Sequence, residues 1–223
     1  SRFVQGKKRC SKSVYISFDE WGILSSKNFE KEKYPQWTEI CDDKRSSTAL
    51  DAVLHGAFMI TMINKCDVVK VACESIVIGS MIMVDPNGGC FRQTTFYPFR
   101  DVALLGKGIV LKQSAEGPRE DAGKYGELPV IQSAVIYNDE KKEIVVFAVN
   151  FSKQKDIPFE LSIQEFKEAE CIEFRQLYEK EAFAGNTFKN PFRVVPHLLE
   201  VDKKQRNFVL PPISWNVIRY RIK

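Results

Sequence analysis

Two adjacent carboxylates, Asp19 and Glu20, stand between a β-branched and aromatic run, Val14-Tyr15-Ile16-Ser17-Phe18, and the pair Trp21-Gly22. A carboxylate at the end of such a run suits work on a glycosidic bond, where one carboxyl serves as acid and base and a second attacks the anomeric carbon. In (β/α)8 barrels the catalytic groups stand at the C-terminal ends of the strands. The same residues also fit an acidic cap on the following loop, and Asp-Glu-Trp alone does not choose between the two. Glu74, in Val71-Ala72-Cys73-Glu74-Ser75, is another carboxylate in an apolar setting. Its ordinary reading is a strand-end charge or the partner of a nearby lysine.

Other chemistry is thinly supplied. The histidines are His55 and His197 only, and no Gly-x-Ser-x-Gly occurs, so neither a His-rich zinc site nor a hydrolase triad is indicated. No metal and no cofactor are expected. The cysteines, Cys10, Cys41, Cys66, Cys73, Cys90 and Cys171, form no Cys-x-x-Cys pair. A chain of 223 residues does not need disulfide staples, so free thiols in a reducing cytoplasm are expected. Asn150-Phe151-Ser152 matches a glycosylation sequon, a tripeptide that is common by chance.

The formal charge of +4 is too mild to indicate nucleic acid. Lys7, Lys8, Arg9 and Lys12 cluster without interleaved aromatics and read as solvated surface. No apolar run approaches the roughly 18 residues of a membrane span, and no signal peptide is visible. The sequence begins at Ser1, and a basic segment feeds straight into a strand. That reads as the middle of a fold, so a portion of a longer protein is expected.

These groups need elements to hold them. Val14–Phe18 reads as a strand. Residues 25–47 are polar and charged, with a lone Pro35, and read as a long loop. Thr48 and Asp51 have the spacing of a helix N-terminal cap, and Leu50, Val53, Leu54, Ala57, Phe58, Thr61 and Met62 recur at helical intervals up to about Lys65. That helix is apolar around much of its circumference, which implies packing between other elements. Residues 67–72 and 76–84 are apolar and β-branched, and residues 85–89 (DPNGG) mark a turn. Ser133–Tyr137 and Glu143–Val149 read as a hairpin around residues 138–142. Further strands are expected at Phe159–Ile163, Ala169–Leu177, Asn207–Leu210 and Ser214–Ile222. No long helix is evident after about residue 100. The expected fold is mixed α+β: β/α units over residues 1–98, then an antiparallel β-sandwich over residues 99–223.

Longer segments carry a resemblance. YISFDEW at 15–21, INKCDVVKVAC at 63–73 and NGGCFRQTTFYPF at 87–99 resemble the C-terminal part of α-L-arabinofuranosidases of glycoside hydrolase family 51. So do GKGIVL at 106–111, VVFAVNFS at 145–152, NTFKNPFRVVP at 186–196 and FVLPPISWNVI at 208–218, in the family's order and at about its spacing. The resemblance runs from about residue 7 to 222. It implies the last β/α units of a (β/α)8 barrel followed by a C-terminal sandwich. It also implies a retaining hydrolase that removes terminal α-L-arabinofuranosyl groups from arabinan, arabinoxylan and arabino-oligosaccharides. The Glu of the matching Asp-Glu-Trp, Glu20 here, is then the nucleophile at the end of the seventh barrel strand. The earlier strands, and the acid/base Glu that the family carries on one of them, have no counterpart in this sequence.

Two departures fall near this site. Gly22 replaces the Asn that usually follows the motif, and Ile23-Leu24 stand where a second Trp is expected. Ile76 takes the place of a substrate-contacting Gln. Such a site lacks a stacking platform and a polar anchor. Trp21 and Trp37 are the candidate substrate-binding aromatics, with a core or loop anchor as the other reading of Trp21. Trp215 reads as core, and Gln93 as structural at the junction of barrel and sandwich. By itself the chain is expected to be inactive. Apolar surface on residues 49–65 and on Val14–Phe18 is expected to meet the missing barrel half or a second copy. The competing reading is a non-catalytic sandwich that serves structure, interaction or carbohydrate binding.

Overall fold

The computed structural model describes residues 13–23, 46–75, 77–85, 88–163, 166 and 168–222. Trp37, Leu24, Ile76 and the basic cluster at residues 7–12 lie outside the described residues, as does most of the long loop expected at 25–47.

The chain begins with a right-sized β-α-β unit. Strand β1 (Ile16–Trp21) and strand β2 (Val69–Glu74) pair in parallel. Helix α1 (Ala49–Asn64) lies between them in sequence. Its start is the capping box read from the sequence: Thr48 Oγ1 accepts the Asp51 amide at 3.2 Å, and Asp51 Oδ2 accepts the Thr48 amide at 2.8 Å. Two further first-turn amides, Ala49 and Leu50, donate to the carbonyls of Ala184 and Ala182. The helix N-terminus thereby has partners for donors that an α-helix leaves open.

Two short strands, β3 (Ile82–Val84) and β4 (Cys90–Arg92), follow as an antiparallel pair. Helix α2 (Phe96–Leu105) comes next and was not legible as a helix. Pro98 sits in its first turn, where a missing N–H is tolerated. The principal sheet is built from β5 (Ile109–Leu111), β8 (Ile131–Asn138), β9 (Glu143–Asn150), β11 (Glu170–Tyr178), β12 (His197–Leu199) and β14 (Ser214–Arg221). Their order is β12-β11-β14-β9-β8-β5, antiparallel throughout. Two antiparallel pairs accompany it: β6 (Arg119–Asp121) with β7 (Glu127–Pro129), and β10 (Ile157–Glu160) with β13 (Asn207–Leu210). The architecture is mostly β sheet with few helices.

The two central strands explain the layering. Every residue of β9 is buried, although half of its side chains point to each face. Val145, Phe147 and Val149 join Trp215 and Val217 beneath α1, together with Ala49, Ala52, Val53 and Ile60 of that helix. Ile144, Val146 and Ala148 join Ile218 and Tyr220 on the other face, covered by Phe208 and Leu210 of the β10–β13 pair. A sheet covered on both sides needs continuous apolar strands, and β9 is one. Phe147 and Trp215 stack with centroids 5.5 Å apart.

Helix α1 is therefore sandwiched, as its all-round apolar character implies. The contacting face differs from the expected stripe, however. Small residues, Ala49, Ala52 and Gly56, carry the close approach to the sheet, while Phe58 is 49% exposed. The expected large open surface on residues 49–65 is thus corrected: most of that helix is buried against the sheet. The other expected apolar surface, on β1 and its approach, is exposed at Val14, Tyr15, Ile16 and Phe18, with Val71 on β2.

Asn150 is fully buried, and its Nδ2 donates to the carbonyls of Lys155, Leu210 and Pro211. The sequon is therefore a structural amide. Among the described residues Cys66, Cys73, Cys90 and Cys171 are free thiols, and no helix is long and apolar enough to cross a membrane.

Candidate active site

Because β1 and β2 are parallel, their C-terminal ends lie at the same edge. Strand β1 runs three residues past Phe18, to Trp21, so Asp19 and Glu20 belong to the strand itself. The register there is irregular: Phe18 pairs with Ala72 and Trp21 with Glu74, three steps on β1 against two on β2. The extra residue falls at Asp19-Glu20. A bulge of this kind re-aims a side chain and is common beside active sites. Both carboxylates are exposed.

Trp21 turns the other way. It is buried against α1, with its indole centroid 4.7 Å from the His55 ring and 6.5 Å from Phe58. His55 is fully buried, with the Phe99 ring centroid at 6.4 Å, and among the described residues neither ring nitrogen has a hydrogen-bond partner. Burial without a partner disfavours the imidazolium and lowers the His55 pKa to about 4. The Trp21 carbonyl accepts the Ser75 amide at 2.9 Å, which ties the end of β1 to the residue after β2.

Glu74 stands across from Trp21. Its Oε1 accepts a 2.7 Å hydrogen bond from Ser80 Oγ. Among the described residues its Oε2 is buried without a hydrogen-bond partner. Burial pushes this carboxyl above the usual range, and the Ser80 bond opposes that in part. Gly22 lies alongside: a Cβ there would stand 3.4 Å from Glu74 Oε1. The lysine partner suggested by the sequence is replaced by a serine.

The turn after β2 is held from a segment 13–15 residues further on. Gln93 is buried, donates from Nε2 to the Gly79 carbonyl at 2.8 Å, and accepts the Ser47 amide on Oε1. Thr94 Oγ1 donates to the Thr48 carbonyl at 2.6 Å. Thr95 Oγ1 donates to the Ser80 carbonyl at 2.9 Å. Gln93, read from the sequence as a junction residue, thus reaches both the segment before α1 and the turn after β2. Thr95, Ser80 and His55 were not singled out in the sequence. Buried hydroxyls give no periodic signal, and only the fold reveals their partners.

Residues 19–214 match the family model described as the α-L-arabinofuranosidase C-terminal domain. The chain is 31% identical over 225 residues to an intracellular exo-α-(1→5)-L-arabinofuranosidase of Streptomyces lividans, covering 97% of this chain and 34% of the relative. It is 33% identical over 229 residues to the enzyme of the same name from Acetivibrio thermocellus, covering 97% of this chain and 45% of the relative. The solved structure of AbfB, a family 51 α-L-arabinofuranosidase from Bifidobacterium longum, superposes with a TM-score of 0.85 at 25% identity, over 98% of this chain and 45% of that one. The chain spans less than half the length of each of these proteins.

Proposed function

This chain belongs to the α-L-arabinofuranosidase C-terminal domain family, and from that membership we propose that it forms the C-terminal portion of a retaining α-L-arabinofuranosidase with Glu20 as nucleophile. The observation that carries the assignment is the bulged, exposed carboxylate at the end of β1, beside a parallel β2. In this reading β1 and β2 are the last strands of a (β/α)8 barrel, and the division between barrel and β-sandwich falls at about residue 98. One observation supports that reading. Parallel sheets are ordinarily covered on both faces, yet Ile16, Phe18 and Val71 are exposed on this pair. The remaining strands of the barrel, or a second copy of the chain, are the partners that would cover them.

The chemistry follows from the carboxylate. Glu20 attacks the anomeric carbon of a terminal α-L-arabinofuranosyl group as the bond to the leaving oxygen breaks. A second carboxyl about 5–5.5 Å away protonates that oxygen. The same carboxyl then deprotonates a water, which opens the glycosyl ester and releases arabinose with retained configuration. No residue of this chain is assigned to the second carboxyl. Glu74 is held by Ser80 with its other oxygen buried, which suits support of the strand end. Trp21 anchors β1 to α1 in this reading, and Trp37 is the aromatic proposed on the substrate side. Arabinan, arabinoxylan and their oligosaccharides are the proposed substrates, and the cytoplasm the proposed compartment. The word intracellular in the relatives' names and the free thiols support the latter.

The test is a chimera in which this chain replaces the matching portion of the Acetivibrio thermocellus relative. It should hydrolyse an aryl α-L-arabinofuranoside, Glu20→Gln should abolish turnover, and the chain alone should have none. A Glu20→Gln chimera with undiminished rate would overturn the assignment.

A further inference from the structure

The turn between β2 and β3 is irregular. Within Val77–Ser80, Ile78 has extended backbone angles and Gly79 has φ of 95°. The Met81 amide reaches back to the Val77 carbonyl. The last two carbonyls of the turn, Gly79 and Ser80, are each taken by a buried side chain from outside, Gln93 Nε2 and Thr95 Oγ1. Gln93 and Thr95 are each 1% exposed. Buried polar side chains are tolerated when every bond is made, and they then specify one local geometry.

That geometry is transmitted to the end of β1. With its carbonyl fixed by Thr95, Ser80 presents Oγ to Glu74 at 2.7 Å. Glu74 is the register partner of Trp21 and lies against Gly22. The residue between Phe18 and Trp21 that breaks register is Asp19 or Glu20. Hydrogen bonds join Thr95 to Ser80 and Ser80 to Glu74, and Glu74 is paired in register with Trp21, the chain neighbour of Glu20.

We propose that Gln93, Thr95 and Ser80 are positioning residues for Glu20, forming a clamp that sets the turn after β2 and, through Glu74, the end of β1. The inference rests on the reading of Glu20 as nucleophile. Gln93 supplies the second anchor, because its Oε1 accepts the Ser47 amide just ahead of α1. The clamp thereby joins the two loop ends that leave β2 and enter α1. A group misplaced by about 1 Å can lose a hundredfold in rate, so removing one bond of the clamp should be visible in turnover.

The experiment compares Thr95→Val, which keeps shape and removes the hydroxyl, with Thr95→Ser, which restores it. In the 223-residue chain, amide hydrogen exchange is read at Ser75 and Met81, whose amides donate to Trp21 and Val77. The β8–β9 hairpin serves as an internal gauge of global stability. Thr95→Val should speed exchange at Ser75 and Met81 about tenfold or more, leave the hairpin unchanged, and be rescued by Thr95→Ser. In the chimera, Thr95→Val should lower kcat about tenfold with KM changed less than twofold. Exchange that rises equally everywhere, or stays unchanged at Ser75 and Met81, overturns the clamp. So does an unaltered kcat in a chimera whose Glu20→Gln form is dead. A Glu20→Gln chimera that keeps its turnover instead sinks the nucleophile reading, whatever the clamp residues do.

Discussion

Lowering the pH should destabilise this protein through His55. The imidazole lies beside Trp21 and Phe99, fully buried, and among the described residues neither nitrogen has a hydrogen-bond partner. In the unfolded chain a histidine takes up its proton near pH 6.5; in the fold this one waits until about pH 4. Between those values the unfolded state binds more protons than the folded state, so stability is lost as pH falls through the window. Integrating the difference gives a loss relative to pH 7 of about 2 kcal/mol at pH 5 and about 3 kcal/mol at pH 4. The assay is urea denaturation at half-unit pH steps from 7 to 4, on the native chain and on His55→Phe. The variant has its own absolute stability, but the part of the pH slope that belongs to His55 should vanish. Equal slopes for the two proteins between pH 7 and 5 would refute the reasoning, as would an imidazole resonance of His55 that titrates near 6.5.

Two packing predictions accompany it. Gly56→Ala should destabilise the chain by about 1–3 kcal/mol, measured by thermal or urea unfolding, because the added Cβ would lie 2.4 Å from Trp215 Cε3; a net gain, as at an open helical site, would show that α1 can move off the sheet. Asp101→Ala should cost about 3–5 kcal/mol by the same assay. Its buried carboxylate accepts from Trp215 Nε1 at 3.0 Å, Arg175 Nη1 at 2.7 Å and Arg100 Nη2 at 2.6 Å, and a loss under 1 kcal/mol would mean that the arginines simply turn to water.

What the sequence disclosed follows its periodicity. Strands β8, β9 and β14 were legible because alternating or continuous apolar runs leave little choice of conformation. The start of α1 was legible because Thr48 and Asp51 form a local motif whose chemistry needs no tertiary partner. Helix α2 was missed because Pro98 and the preceding threonines look like loop, whereas Pro98 falls in the first turn and Thr94 and Thr95 bond to distant carbonyls. The contacting face of α1 was not legible, because side-chain size does not follow burial there. The sheet needs Ala52 and Gly56 beneath it, with Trp215 filling the space, and a larger Phe58 is left outside. Glu20 was legible as a carboxylate at a strand end, but the bulge that frees it depends on the register with β2, which no local pattern encodes. Glu74 was legible only as a charge. Its partner Ser80 lies in an irregular turn, whose Gly79 and Ser80 carbonyls accept from Gln93 and Thr95.

The central claim is that Glu20 becomes covalently attached to the sugar. The direct measurement is to incubate the chimera with a 2-fluoro-substituted arabinofuranoside carrying a good leaving group, which slows hydrolysis of the ester, and to map the label by peptide mass spectrometry. The account predicts that the peptide containing Glu20 gains the mass of one fluoro-arabinosyl group, and that Glu20→Gln gains none. A label on Asp19, Glu74 or any other carboxylate would contradict it.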